Sequence, residues 1–112
     1  PPYLIRANGD LKQIGRSEGI ALGVVKDNSH FIQKSIKLDN MDTFILYTDG
    51  VTEAMDKDKQ LFQESRLEEV LKQNYQLPLR ALLEKIILEV ELYSGEMEQS
   101  DDITLLGIRV VK

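Results

Sequence analysis

The hydrophobic pattern changes its period midway along the chain, and no other feature of the sequence limits the fold as much. Before residue 48, short apolar runs alternate with turn residues, which is typical of β-strands. After residue 62, apolar residues recur at the three- and four-residue spacing of amphipathic helices. The predicted strands cover residues 3–7, 11–14, 20–25, 31–38, 44–47 and 103–111, and the predicted helices cover residues 64–75 and 79–93. Strands followed by two helices and a last strand indicate an α+β fold.

Several of these elements carry clear local signals. Asn8-Gly9-Asp10 separates the first two strands and is a strong hairpin signal. The continuous apolar run at residues 44–47 is short enough to form a central strand that is buried on both faces. Pro78 suits the first turn of the second helix, and Gly95 suits its end. The helix residues that we expect to face the sheet are Leu67, Val70, Leu71, Leu79, Leu82, Leu83, Ile86, Ile87, Val90 and Tyr93.

Composition excludes some kinds of function. The 112 residues suit one domain or part of one, and the formal net charge is −5. Lys and Arg are scattered among acidic residues, so binding to nucleic acid or to an anionic membrane surface is not expected. No apolar stretch is long enough to span a membrane. The chain has no cysteine, which excludes a thiolate nucleophile and fits a reducing compartment.

The first segment with residues suited to a functional site is residues 47–54, Tyr-Thr-Asp-Gly-Val-Thr-Glu-Ala. An apolar strand ends here in Asp49 and Gly50 and then opens into a predicted helical turn. A carboxylate at the end of a rigid strand is well placed for a metal ligand. In the alternative interpretation, Asp49 caps the following turn and Gly50 supplies a positive φ.

The second such segment is residues 99–106, Gln-Ser-Asp-Asp-Ile-Thr-Leu-Leu. Asp101 and Asp102 repel each other at the start of a predicted strand, so a cation or solvent must compensate their charges. Mg²⁺ and Mn²⁺ prefer carboxylate oxygens as ligands. The alternative is a solvated acidic turn that leads into the strand. His30, the only histidine, is expected to start a strand at the surface.

Together, the two acidic segments resemble a known family. Residues 47–54, then Phe62 with Arg66-Leu67, then an amphipathic helix and residues 99–105 are similar to the C-terminal half of the SpoIIE/RsbU-type phosphatases. These are bacterial, metal-dependent (protein phosphatase 2C-like) serine/threonine phosphatases. Residues 1–23 are also similar to that family's middle region. The resemblance therefore predicts that residues 1–112 are the C-terminal portion of a single SpoIIE-type phosphatase domain.

The resemblance implies a fold and a site. The fold is part of a four-layer α-β-β-α sandwich, in which two antiparallel sheets are flanked by helices. In the family, the acid of the Thr-Asp-Gly motif and the first acid of the Asp-Asp-Ile-Thr motif bind a pair of Mn²⁺ or Mg²⁺ ions. Those acids correspond to Asp49 and Asp101. Around them, the resemblance makes Asp102, Gly50, Thr48 and Thr104 candidate supporting residues.

The resemblance also implies a reaction and partners. Two cations activate a water that hydrolyses phosphoserine or phosphothreonine, so no protein nucleophile is needed. The implied substrate is a regulatory protein of the anti-sigma-factor-antagonist type. The implied setting is the cytoplasm, with a sensory or regulatory domain upstream in the full-length protein.

The chain departs from the family pattern in three places. Asn40-Met41-Asp42 replaces a usual Pro-Gly-Asp, and Gln63 replaces a glycine after Phe62; both are interpreted as loop changes with little bearing on catalysis. The family's further metal-binding acids would precede Pro1, and Asp10 cannot replace them because it lies in the predicted hairpin turn. We therefore expect the chain to begin within the domain and to be inactive alone.

Two rival interpretations stay open at this point. One is a non-catalytic relative that serves as a regulatory binding module, and the other is an α+β interaction domain whose acids only cap turns. Residues 56–60 also hint at a calcium-binding loop, but Leu61 stands where that loop needs glycine. A solvated loop is expected there instead.

Overall fold

The apolar runs of the first half and of the C-terminus form the strands of one antiparallel sheet. Its strands are β1 (Tyr3–Ile5), β2 (Leu11–Gln13), β3 (Thr43–Tyr47) and β4 (Leu105–Arg109), in the order β2-β1-β3-β4. The computed structural model describes residues 2–14, 37–96 and 102–112. The predicted strand at residues 20–25 and most of that at 31–38 lie outside the described residues, as do His30 and Asp101.

The predicted hairpin turn joins β1 and β2. The Arg6 N–H donates to the Asp10 carbonyl at 2.8 Å, and the Asn8 side-chain oxygen accepts the Asp10 N–H at 3.0 Å. Gly9 has a φ of 96°, and a Cβ at this position would lie 2.8 Å from the Tyr75 ring. Both the backbone conformation and the close packing therefore require glycine here.

The continuous apolar run forms the central strand, as predicted. β3 pairs with β1 on one side and with β4 on the other, so that Ile45 lies opposite both Tyr3 and Gly107. Phe44 and Ile45 point to opposite faces of the sheet, and both are buried. Thr43 to Ile45 are thus paired on both sides, whereas Leu46 and Tyr47 at the end of β3 pair with β4.

Three helices follow β3 along the chain. They are α1 (Asp49–Thr52), α2 (Gln63–Asn74) and α3 (Leu79–Ser94). α2 and α3 pack on one face of the sheet, and the buried residues of this layer include Tyr3, Ile5, Ile45, Leu67, Leu71, Leu82, Ile86 and Val90. None of the described helices is long and apolar enough to cross a bilayer.

The structure of α3 differs from the sequence prediction at Ile87 and places Pro78 directly before the helix. Ile87 is 37% exposed, because the apolar stripe that contacts the sheet is narrower than the sequence pattern. Pro78 precedes the first turn of α3, and its carbonyl accepts the Leu82 N–H at 2.9 Å. Gly95 ends the helix with a φ of 57°, as predicted.

The start of β3 is held by a buried carboxylate. Asp42 accepts hydrogen bonds from the Arg6 guanidinium at 2.7 Å, the Asp39 N–H at 2.8 Å and the Ala7 N–H at 3.0 Å. Burial alone would raise the pKa of Asp42, but these hydrogen bonds outweigh burial and lower its pKa below the usual value. Asp42 therefore stays ionised and ties the end of β1 to the start of β3.

The opposite face of the sheet carries a second apolar layer. Leu4, Ile14 and Phe44 are buried there, with Leu38 and Leu46 packed against them. On β4, Leu106 is 51% exposed and Ile108 is 46% exposed. The described residues thus form an α+β unit, a four-stranded antiparallel sheet whose helices lie on one face.

Candidate functional site

Asp49 lies at the end of the central strand. β3 ends at Tyr47, Thr48 leads out of the strand, and Asp49 is the first residue of α1. The Asp49 side chain is exposed, and its carboxylate forms no hydrogen bond or ion pair with another described residue. It does not cap α1, and the described glycines with positive φ are Gly9 and Gly95, so Gly50 is not one of them. The capping interpretation of Asp49 and Gly50 is therefore wrong.

The two acidic segments meet at one edge of the sheet. Because β3 and β4 are antiparallel, the end of β3 lies beside the start of β4. The Thr48 N–H donates to the Thr104 carbonyl at 3.1 Å. The Thr48 hydroxyl donates to the Asp102 carbonyl at 2.9 Å and accepts the Thr104 N–H at 3.0 Å. The residue before Asp49 is thus hydrogen-bonded to the residue after Asp101.

The other predicted site residues have different surroundings. Asp102 has an exposed side chain, and its main-chain carbonyl makes the contact with Thr48. Thr104 takes part through its main-chain N–H and carbonyl, and its hydroxyl makes no hydrogen bond with another described residue. Gly50 is buried in α1. Asp101 lies outside the described residues, so its distance from Asp49 stays a prediction.

The side chain of Tyr47 holds the end of β3 through contacts with Tyr3 and Gln13. It stacks on the Tyr3 ring, with 5.9 Å between ring centroids and 19° between planes. Its hydroxyl accepts a hydrogen bond from the Gln13 amide at 3.2 Å. These contacts immobilise the residue two positions before Asp49.

Three carboxylates act electrostatically on Tyr47 at the end of β3. Burial raises the pKa of the Tyr47 hydroxyl, and the carboxylates of Glu64, Glu68 and Asp49 raise it further, although the hydrogen bond from Gln13 lowers it. Burial also raises the pKa of Tyr3, with further contributions from Tyr47 and the same two glutamates. Both hydroxyls stay neutral at physiological pH.

Sequence reasoning missed Glu64 and Glu68 as neighbours of the site. Their spacing of four residues places them on one side of α2. That spacing was visible in the sequence, but an exposed helix face commonly carries such acids. Only the packing of α2 against the sheet brings these carboxylates close enough to raise the pKa of Tyr47 and Tyr3.

Phe62 and Arg66 make packing contacts between α2 and α3. The Arg66 guanidinium lies 4.5 Å from the centroid of the Tyr93 ring, and Phe62 meets the same ring edge-on at 5.4 Å. The Tyr93 hydroxyl donates to the Gln60 carbonyl at 2.9 Å. A groove of about 660 Å³ between α2 and α3 is lined by Phe62, Arg66 and Tyr93, among others, and Asp49 does not contribute to it. These residues stabilise the packing of α2 on α3.

The carboxylate of Asp49 is a suitable ligand for a divalent cation, but the described residues supply too few such ligands for a complete site. Asp49 offers a free carboxylate, the oxygen ligand that Mg²⁺ and Mn²⁺ prefer. Within residues 2–14, 37–96 and 102–112, no group of three or more His, Cys, Asp or Glu side chains could hold a metal ion. A complete site therefore needs carboxylates beyond this described set.

The fold and the paired acidic segments define a class of protein. The chain is similar to the SiaA-PP2C domain of Pseudomonas aeruginosa, with a TM-score of 0.61 and 32% identity over 67% of this chain and 31% of that chain. Four antiparallel strands, helices on one face and an acid at the end of β3 thus form part of a PP2C-like phosphatase domain.

A family comparison agrees with this structural similarity. The family described as Stage II sporulation protein E (SpoIIE) matches residues 1–111, and the chain belongs to this family of serine/threonine phosphatases. Protein IcfG of Synechocystis sp. (strain ATCC 27184 / PCC 6803 / Kazusa) is 33% identical over 108 residues, which are 96% of this chain and 17% of IcfG. The resemblance inferred from the sequence is confirmed. The chain spans less than two thirds of either relative's length.

Proposed function

We propose that this chain supplies Asp49 and Asp101 to the two-cation centre of a protein serine/threonine phosphatase. One observation carries the proposal. The Thr48 hydroxyl contacts the Asp102 carbonyl at 2.9 Å, so the segments that contain the two acids are hydrogen-bonded to each other. Membership of the SpoIIE family supports the same chemistry.

Each residue has a definite role in this proposal. Asp49 binds a cation through its free carboxylate, which β3 holds at the sheet edge. Asp101 binds from the start of the neighbouring strand, and Asp102, Gly50, Thr48 and Thr104 support the two ligands. When bound, a pair of Mn²⁺ or Mg²⁺ ions supplies an activated water and offsets the charge of the phosphoryl group. The chain needs no nucleophilic side chain, which agrees with its lack of cysteine.

The complete domain contains more than this chain in our proposal. Residues 1–112 form the C-terminal portion of a single domain, and further metal-binding acids precede Pro1. The second sheet of the four-layer sandwich packs on the face that carries Leu106 and Ile108. The exposure of these two side chains supports this arrangement, because a monomeric sheet rarely leaves adjacent large apolar residues in water.

The proposed substrate is a phosphorylated regulatory protein in the cytoplasm. Within the SpoIIE family, an anti-sigma-factor antagonist that carries phosphoserine or phosphothreonine fits this role. A sensory or regulatory domain upstream would control the reaction. The support for these points is membership of the family alone.

The test uses the intact protein with the complete domain. We expect Asp49→Ala and Asp101→Ala each to lower kcat/KM on a phosphoserine protein more than about 100-fold, since removal of an outer-shell partner alone costs about 10–100-fold. Asp58→Ala is the matched control, because Asp58 is an exposed acid in the loop after α1. Calorimetric titration with Mn²⁺ gives the binding readout.

Two results would contradict the proposal. Equal losses in Asp58→Ala and Asp49→Ala would show a non-specific charge effect. A wild-type protein that folds but neither binds Mn²⁺ nor hydrolyses the phosphoprotein would favour the non-catalytic binding module.

A further inference from the structure

We propose that the Thr48 hydroxyl is a positioning group that fixes the segment after Asp101 against Asp49 and thereby sets the affinity of the site for divalent cations. This inference rests on the proposed function. It concerns one hydroxyl group that binds no cation itself. Its effect is exerted through the two acidic segments that it joins.

The role follows from how the β3–β4 ladder ends. Tyr47 and Leu105 form the last regular pair, so Thr48 and Thr104 would come next. Such a pair normally exchanges two main-chain hydrogen bonds. Here only one of them forms, from the Thr48 N–H to the Thr104 carbonyl at 3.1 Å.

The second main-chain bond is lost because α1 begins at this point. The Thr48 carbonyl accepts the Val51 N–H at 3.1 Å, in the first turn of α1. The Thr104 N–H therefore needs another acceptor, and the Thr48 hydroxyl provides it at 3.0 Å. The strand can thus turn into the helix that carries Asp49 without releasing β4.

The hydroxyl also reaches beyond the ladder. Its own proton goes to the Asp102 carbonyl at 2.9 Å, on the peptide unit that follows Asp102. One oxygen therefore joins two successive main-chain groups of the Asp102–Thr104 segment. This double contact fixes both the position and the direction of the Asp102–Thr104 segment.

Because the residues around the Thr48 hydroxyl are exposed, its positioning role can be distinguished from a contribution to the stability of the fold. Thr48, Asp102 and Thr104 are all exposed, so water can replace the hydroxyl at each main-chain group. The fold therefore loses little when the hydroxyl is removed. Water cannot hold the two segments at a fixed separation, and two carboxylates that share cations need that separation.

The experiment compares Thr48→Val and Thr48→Ser in the intact protein with the complete domain. Valine has nearly the shape of threonine but no hydroxyl, and serine retains the hydroxyl. We expect Thr48→Val to raise the Kd for Mn²⁺ by about 10–100-fold, with a change in Tm of about 4 °C or less. Thr48→Ser should retain most of the affinity. Hydrogen exchange of the Thr104 amide, measured without metal, should be faster in Thr48→Val.

The outcomes distinguish this inference from the proposed function. If wild type binds Mn²⁺, Asp49→Ala does not, and Thr48→Val binds as tightly as wild type, the role of Thr48 is overturned alone. The same holds if Thr48→Ser weakens binding as much as Thr48→Val. If wild type itself binds no Mn²⁺, the proposed function fails first and the inference fails with it.

Discussion

At the scale of single residues, three described non-glycine residues have the positive φ that favours glycine: Met41, Lys59 and Gln63. Met41 has a φ of 69° and Gln63 has a φ of 68°. Met41 and Gln63 stand where the SpoIIE-type pattern has glycine, in the Pro-Gly-Asp turn and after Phe62. The left-handed conformation costs an L-residue roughly 1–2 kcal/mol. Met41 thus lies in the turn before β3, as expected for a loop change, whereas Gln63 is the first residue of α2, and both departures have an energetic cost.

Replacement with glycine should therefore stabilise the domain. We expect Met41→Gly and Gln63→Gly each to raise the free energy of unfolding by about 0.5–1 kcal/mol, after the entropy cost of glycine is subtracted. Urea unfolding measures the change. Gln73→Gly is the control, since Gln73 is an exposed residue within α2, and glycine should lower stability there by about 1 kcal/mol. A loss of stability in Gln63→Gly would contradict the strain argument.

At the scale of elements, Arg109 of β4 holds the connection between α2 and α3. Its guanidinium donates to the Leu77 carbonyl at 2.7 Å and to the Tyr75 carbonyl at 3.2 Å. It also donates to the Thr43 hydroxyl at 2.9 Å. These carbonyls lie between the two helices, where no helical N–H is available to them. One side chain thus joins the sheet to both helices.

Loss of this side chain should be costly. We expect Arg109→Met to lower the free energy of unfolding by about 2–3 kcal/mol, because three hydrogen bonds from a charged group are removed. Denaturant unfolding gives the measurement. Arg80→Met is the matched control: the Arg80 side chain is 92% exposed and pairs with Glu84. The control should change stability by less than about 0.5 kcal/mol.

At the scale of the whole molecule, the chain corresponds to part of a PP2C-like domain. Helices cover one face of the sheet, whereas Leu106 and Ile108 on the other face are about half exposed. The chain spans 31% of the SiaA-PP2C chain. We expect the rest of the proposed domain to supply the further metal-binding carboxylates and the apolar layer that covers Leu106 and Ile108.

The isolated chain should therefore bind metal poorly. We expect residues 1–112 alone to show no measurable Mn²⁺-dependent hydrolysis of a phosphoserine substrate, because few carboxylates offset the cost of dehydrating the cation. Activity should appear when the preceding part of the domain is added. Calorimetry and a phosphate-release assay check both statements. Robust turnover by the chain alone would show that the upstream acids are not needed.

Much of the fold was predictable because its causes are local. The apolar run at residues 44–47, the Asn8-Gly9-Asp10 turn and the burial of Leu67, Val70 and Leu71 all follow from spacing and turn chemistry. The strands at residues 20–25 and 31–38 stay predictions. Ile87 was misjudged, since sequence periodicity gives the width of an apolar stripe and only packing decides how much of it is covered.

The sequence by itself determined the period of each element, the central position of β3 and the two acidic segments that identify the family. Those features depend on neighbours along the chain. Only the tertiary structure decided that the Thr48 hydroxyl joins the Asp102–Thr104 segment, and that the carboxylates of Glu64 and Glu68 lie close enough to raise the pKa of Tyr47. These contacts join residues far apart in sequence, and their geometry depends on sheet register and helix packing, which no local pattern specifies.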